Sequence, residues 1–257
     1  METLRIERYG QVYVLLLNRP DKLNTINLLM LEELSKALQE LSSLDELRVL
    51  VIRGNGRAFC AGADVSEFIK LTPSTALNFS RKGKEVLKYL AHFPRPTLAA
   101  INGYALGGGL ELALNCDLRF ASSAALLGLP EINLGIFPGF GGTVKLPKII
   151  GKAKALEMMY TGDRISAEEA LRVGLVNRVI PSEKFDEEVM TFANRLALKS
   201  PAILKLLKTA VISSLDSPEE VGSPIESLAW ALTFTTDDQK EGIKAFLEKR
   251  EPKFSGK

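Results

Sequence analysis

Histidine is almost missing from this chain and cysteine is scarce: His92 stands alone, and Cys60 and Cys116 are the only thiols. One imidazole and two scattered thiols argue against a Ser–His triad, a thiolate metal cluster and a disulfide framework. No apolar run approaches the roughly eighteen residues that a membrane span needs. The net charge of +2 is too small to mark a nucleic-acid or membrane surface. The start, Met1-Glu2-Thr3-Leu4-Arg5-Ile6, lacks the layout of a secretory signal and reads directly as a strand, so a cytoplasmic protein is expected. The glycine-rich loop at 54–65 matches neither a P-loop nor the dinucleotide fingerprint, which disfavours nucleotide chemistry of those kinds. What is present is ordinary for a globular protein: 257 residues, 46% hydrophobic and 25% charged, enough for one large domain or one domain with an appendage.

Along the chain, strand and helix patterns alternate. Residues 4–9 and 12–18 form a hairpin around Gly10-Gln11, and a helix follows to about Ser42 with Leu31, Leu34, Leu38 and Leu41 on one face. A buried strand at 48–53 enters the small-residue loop, where Asp64 is expected to cap a helical turn. Thr72-Pro73 opens a helix to about Ala91, and residues 117–121 return as a strand. Ser166-Ala167-Glu168-Glu169 has the form of a capping box, and a strand is expected over 175–180. From about residue 197 the pattern is helical only. That change sets the expected boundary between a core at 1–196 and a helical region at 197–257, too small for a full core of its own and expected to pack on another subunit.

The centre of the sequence is the stretch from Ala99 to Asp117. It opens as an apolar strand, breaks at Gly107-Gly108-Gly109 and resumes as a short apolar helix holding Glu111. Consecutive glycines leave main-chain N–H groups uncovered, and the first N–H groups of a helix have no intrahelical partner. Helical side chains lean toward the N-terminus, which places Glu111 over Gly107 and Gly108. A carboxylate in such apolar company must be paired, hydrogen-bonded or protonated. Local pattern alone leaves open a structural Glu in a buried hydrogen bond. It equally leaves Glu131, after Pro130, as a helix-start acid, Lys22 as a solvated loop lysine, and the lysines at 145, 148, 152 and 154 as a solvated face.

Four motifs in this order and spacing resemble the crotonase (enoyl-CoA hydratase/isomerase) superfamily over essentially the whole chain. They are Asn18-Arg19-Pro20-Asp21-Lys22-Leu23-Asn24, Ala58-Phe59-Cys60-Ala61-Gly62-Ala63-Asp64, the run from Asn102 through Gly107-Gly108-Gly109 to Glu111, and Leu129-Pro130-Glu131 followed by residues 135–143. The sequence is also similar to archaeal 3-hydroxypropionyl-CoA dehydratases, a hydratase subgroup.

The resemblance implies an α/β spiral of β-β-α repeats and a C-terminal helical region that builds trimers, usually paired into hexamers. It implies an acyl-CoA substrate, with coenzyme A as part of that substrate and no separate metal or redox cofactor. Glu111 and Glu131 would be catalytic, because hydratases carry glutamates at both matching positions, whereas simple isomerases generally keep only the second. The Ala63 and Gly108 N–H groups would hold the thioester oxygen. Lys22, Leu23, Asn24, Ala61, Asp64, Val65 and Gly107 would meet coenzyme A or substrate, as would Phe254 and Lys257. The implied reaction is reversible hydration of a trans-2-enoyl-CoA, probed with acryloyl-CoA and crotonyl-CoA, the dehydration products of 3-hydroxypropionyl-CoA and 3-hydroxybutyryl-CoA. An enoyl-CoA isomerase or another lyase of the same scaffold is the alternative within enzymes. RNA binding, known in some relatives, is disfavoured by the near-neutral charge. The acyl pocket is expected to draw on residues 68–79, 136–140 and 230–234.

Overall fold

A computed structural model describes residues 1–256; Lys257, expected to meet coenzyme A, lies outside the described residues. The chain opens with the hairpin β1 (Leu4–Tyr9) and β2 (Val12–Leu17), turned at Gly10, followed by α1 (Leu28–Ser42). Asn27 caps α1 by accepting the Met30 N–H at 2.9 Å. The two-strand-and-helix unit then recurs: β3 (Val49–Gly54), β4 (Ala58–Cys60) and α2 (Pro73–Ala91); β5 (Thr97–Ile101), β6 (Tyr104–Leu106) and α3 (Gly108–Ala113); β7 (Leu118–Ser122), β8 (Leu126–Gly128) and α4 (Gly142–Ile150). Next come α5 (Lys152–Thr161), β9 (Arg164–Ser166), α6 (Ala167–Arg172), β10 (Arg178–Ile180) and α7 (Phe185–Ala197). Helices α8 (Pro201–Ser214), α9 (Glu219–Thr233) and α10 (Asp237–Leu247) complete the chain.

In each of the three later units the first strand joins a large sheet and the second a small one. The six-stranded sheet has the order β1-β2-β3-β5-β7-β10, and the four-stranded sheet the order β4-β6-β8-β9. This is the α/β spiral expected. Period-two alternation explains why the large sheet can be buried on both faces. Leu15, Leu17, Leu50, Ile52, Ala99 and Ile101 face the main core beside α1 and α2. Val12, Val14, Val49, Val51, Leu98 and Ala100 face the other way, onto Val189 and Ala193 of α7.

Two local expectations change. The strand expected from residue 175 starts only at Arg178, because the Leu175 and Val176 N–H groups turn back to the Ala170 carbonyl and close the end of α6. Ser166 does cap α6 through the Glu169 N–H, but the Glu169 carboxylate pairs with Arg172 and Lys154 instead of completing a capping box.

Among the described residues, neither buried apolar cluster extends past Ala197. The helices beyond it are tied to the core by polar contacts, such as the Lys208–Asp117 ion pair at 2.9 Å. They leave apolar residues in solvent: Leu207 and Val211 on α8 and Leu215 just after its end repeat every fourth position and are 58%, 52% and 71% exposed. No helix among the described residues is long and apolar enough to cross a membrane.

Candidate active site

The site forms where β4, β6 and β8 of the small sheet run out. After β4 the chain pairs with the loop before α1: Ile26 donates to the Gly62 carbonyl and accepts from the Asp64 N–H, both at 2.8 Å. This bridge leaves the Ala63 N–H outside the ladder. After β6 the backbone turns at Gly107, where φ is +50°, a conformation that L side chains rarely adopt. Gly108 then begins α3, so its N–H has no carbonyl four residues back within the helix. A Cβ built on Gly108 would lie 3.5 Å from the Ala63 nitrogen, so the two N–H groups are neighbours. The turn stays tight against β4 because Gly109 has no side chain; a Cβ there would come within 2.0 Å of the Cys60 carbonyl oxygen.

Glu111 is 2% exposed. Its Oε1 accepts the Phe140 N–H at 2.8 Å and the Gly142 N–H at 2.7 Å, donors from the glycine-rich loop that leads into α4. Burial pushes this carboxyl above its ordinary range, opposed by the Gly142 and Phe140 N–H groups.

Helical lean alone put Glu111 over the glycines, but the carboxylate that fills the space at Gly107 is Glu131. A Cβ on Gly107 would meet Oε1 of Glu131 at 2.9 Å. Glu131 sits in the 3-10 turn Pro130–Leu134, as a helix-start acid. Its Oε2 is buried with no hydrogen-bond partner among the described residues. Burial, and then the charge of Glu111, push the Glu131 carboxyl up to about 7. It is therefore poised between its protonated and ionised forms at neutral pH.

Both carboxylates line a cleft of about 390 Å³, together with Ala61, Gly62, Ala63, Val65, Gly107 and Gly108. Its apolar wall is an aromatic series: Phe68 meets Phe79 edge-on at 5.7 Å, and Phe79 lies 5.2 Å from Phe140. Leu71, Ala76, Leu134, Ile136 and Phe137 complete that wall. No lysine, arginine or histidine lines the cleft among the described residues.

The other candidate residues divide. Ala61, Val65 and Gly107 line the cleft, whereas Lys22, Leu23, Asn24, Asp64 and Phe254 do not. Lys22 is exposed at the end of the short 3-10 turn Pro20–Lys22, and the Leu23 carbonyl accepts the Ala61 N–H at 3.0 Å. Asn24 is 0% exposed and offers a ligand no surface. Its carboxamide accepts the Arg19 N–H and donates to the Asn55 and Ala58 carbonyls, which makes it a strut between two loops. Asp64 makes no side-chain bond to a helix N–H; it accepts from the Ser66 hydroxyl at 2.6 Å and pairs with Arg19 at 3.0 Å. Phe254 rests on Gly242 of α10. Residues 230–234, expected in the pocket wall, are absent from the cleft, and Trp230 and Phe234 pack on each other at 4.8 Å instead. The sequence reading did not single out the Phe140 and Gly142 amides that hold Glu111. The signal was the run Pro138-Gly139-Phe140-Gly141-Gly142, where glycines again leave main-chain donors uncovered.

Residues 7–257 match the family model described as enoyl-CoA hydratase/isomerase. The chain is 40% identical over 257 residues to the crotonyl-CoA hydratase of Syntrophomonas wolfei, covering 100% of this chain and 99% of the relative. It is also 40% identical over 257 residues to the 2,3-dehydroadipyl-CoA hydratase of Escherichia coli, covering 100% of each. Among solved structures, the enoyl-CoA hydratase from Bacillus anthracis superposes with a TM-score of 0.96 at 37% identity, over 99% of this chain and 100% of that one.

Proposed function

The chain belongs to the enoyl-CoA hydratase/isomerase family, and we propose that Glu111 and Glu131 are the two acid–base groups with which it adds water reversibly to short trans-2-enoyl-CoA thioesters. It is a hydro-lyase of the enoyl-CoA hydratase kind, and its substrate is an acyl-CoA thioester. The observation that carries the assignment is the pair itself: an anchored carboxylate and a second one titrating near neutrality with a partnerless buried oxygen, in one cleft beside two unengaged N–H groups.

In the hydration direction, water stands between the carboxylates. Glu111 accepts one of its protons as the oxygen attacks Cβ of the thioester. The electron pair of the Cα–Cβ double bond moves toward the thioester carbonyl, and the Ala63 and Gly108 N–H groups hold the oxygen on which negative charge develops. Glu131, protonated near its shifted pKa, delivers a proton to Cα, and exchange with solvent resets the pair. Dehydration runs the same steps backwards. Neither a metal nor a redox cofactor enters this sequence; coenzyme A arrives as part of the substrate.

The apolar, cation-free wall suits a short uncharged acyl chain such as the crotonyl group named for the Syntrophomonas relative. In this reading the main chain at Ala61 and Val65, which line the cleft, meets the coenzyme A part of the substrate. The exposed stripe on α8, in a region outside both buried clusters, supports residues 197–257 as the surface that assembles a homotrimer, or two trimers into a hexamer. Two free thiols, both buried, suit a reducing cytoplasm.

The test follows the ultraviolet absorbance of the conjugated thioester in crotonyl-CoA and acryloyl-CoA. Wild type should consume it, and Glu111→Gln and Glu131→Gln should each slow turnover by roughly 10²–10⁴. Near-normal turnover in either variant would remove that residue from the assignment. No consumption by wild type despite thioester binding would redirect the site to isomerase chemistry.

A further inference from the structure

Ser80, on α2, takes no part in the chemistry above, yet it lines the cleft. Its hydroxyl donates to the Gly139 carbonyl at 2.6 Å. That carbonyl and the Phe140 N–H belong to the same peptide group, and the Phe140 N–H is one of the two donors to Oε1 of Glu111, at 2.8 Å. A trans peptide is planar, with its C=O and N–H pointing in opposite directions, and no peptide bond among the described residues is cis. Fixing the oxygen therefore aims the N–H. Ser80 and Glu111 are the two ends of one relay, hydroxyl to carbonyl to N–H to carboxylate, and each bond in such a chain polarises the next.

From this geometry we infer that Ser80 is a positioning residue for Glu111, orienting the Gly139–Phe140 peptide so that the base is held by one oxygen and leaves the other for water. The inference rests on the reading of Glu111 as the base. The loop needs such a tether because glycines occupy 139, 141 and 142, and Gly141 stands at φ +116°. A segment this rich in glycine has many alternative peptide orientations. The other contacts between α2 and the loop are made by the Phe140 ring, 5.2 Å from the Phe79 ring and over Gly83, where a Cβ would come within 2.4 Å of it. Ring packing sets where the loop lies; it does not set how the peptide plane is turned.

The test uses Ser80→Ala and Ser80→Thr in the full-length enzyme, each also combined with Glu111→Gln, with kcat and KM for crotonyl-CoA measured across pH. Loosening the amide donors removes interactions that favour the ionised carboxylate, so the acid limb of the kcat profile should move to higher pH in Ser80→Ala. The charged groups facing Glu111 are Glu131, from the 3-10 turn, and Lys84 of α2, and neither changes in these variants. In Ser80→Ala, kcat should fall about tenfold, the rate equivalent of one ordinary hydrogen bond, with KM within about twofold. Ser80→Thr, which keeps the hydroxyl, should stay within about threefold of wild type. In the Glu111→Gln background Ser80→Ala should change the residual rate by less than about twofold, since the group it orients is gone.

An unmoved pH profile, an equal loss in both backgrounds, or a Ser80→Thr enzyme as slow as Ser80→Ala would overturn the inference. Should Ser80→Ala not fold, Ser80→Cys, a weaker donor of similar size, carries the same expectation. If Glu111→Gln itself is fast, the base assignment fails and takes this inference with it. If Glu111→Gln is slow and Ser80→Ala leaves the profile in place, only the role of Ser80 fails.

Discussion

Oε1 of Glu131 stands 2.9 Å from the point where a side chain at Gly107 would begin, so one residue's missing Cβ is the other's space. Gly107 also has φ +50°, which resists any L side chain. Gly107→Ala should therefore displace the Glu131 carboxylate and strain the turn before α3. A fall in kcat of about 10² or more is expected, within the range for losing a general acid, together with roughly 1–3 kcal/mol of stability. Steady-state kinetics alongside thermal unfolding checks both; a fully active Gly107→Ala enzyme would show that the contact is dispensable.

The raised pKa of Glu131 makes a prediction about stability. Its value in the folded protein is about 7, above the ordinary 4.5, so the native state binds the extra proton between those limits. Stability from the protonated form is fully present below about pH 4.5 and is lost as pH rises through about 7. Compared with Glu131→Gln, wild type should lose up to roughly 3 kcal/mol across that window. Thermal or urea unfolding of both proteins from pH 4.5 to 8 measures this, and a difference independent of pH would mean that the carboxyl is not raised.

The α8 stripe gives a prediction about assembly. Light scattering should find wild type at three or six times the 28.1 kDa chain mass. Val211→Glu, in the middle of the stripe with Leu207 and Leu215, should shift it to smaller species, because a charge would have to be buried in the contact. An unchanged mass would place the contact elsewhere.

The composition of the cleft wall gives a prediction about substrate choice. Among the described residues two carboxylates and no cation line it, so an acyl chain ending in a second carboxylate would meet repulsion with no compensating partner there. The kcat/KM for crotonyl-CoA should exceed that for 2,3-dehydroadipyl-CoA by about tenfold or more, the equivalent of one unpaired polar group. Equal efficiency would require a cation from outside the described cleft.

Much of the architecture was legible because it is written in short-range pattern. The near-continuous apolar runs in Val12–Leu17 and Val49–Gly54 read directly as buried strands, and Thr72 and Ser200 sit where helix caps belong. Glu111 and Glu131 were noticeable as carboxylates set among glycine and apolar residues. Asn24 was not legible as a strut, because its partners Asn55 and Ala58, in the turn before β4 and at its first residue, are brought beside it only by the sheet. Residues 230–234 were expected in the pocket wall, but the place of Trp230 and Phe234 is fixed by where α9 packs, outside the cleft.

The sequence by itself determined the order of strands and helices, the glycine turn at 107–109 and two carboxylates set among glycine and apolar neighbours. Each depends on backbone sterics or on neighbours within one or two turns of chain. Only the tertiary structure decided that Glu131 fills the space above Gly107, that the loop before α4 holds the Glu111 carboxylate, and that the Ser80 hydroxyl donates to the Gly139 carbonyl of that loop. Those relationships join segments far apart in the chain. They exist because the spiral brings successive units side by side, where the position of a hydrogen-bond donor is set by packing rather than by sequence spacing.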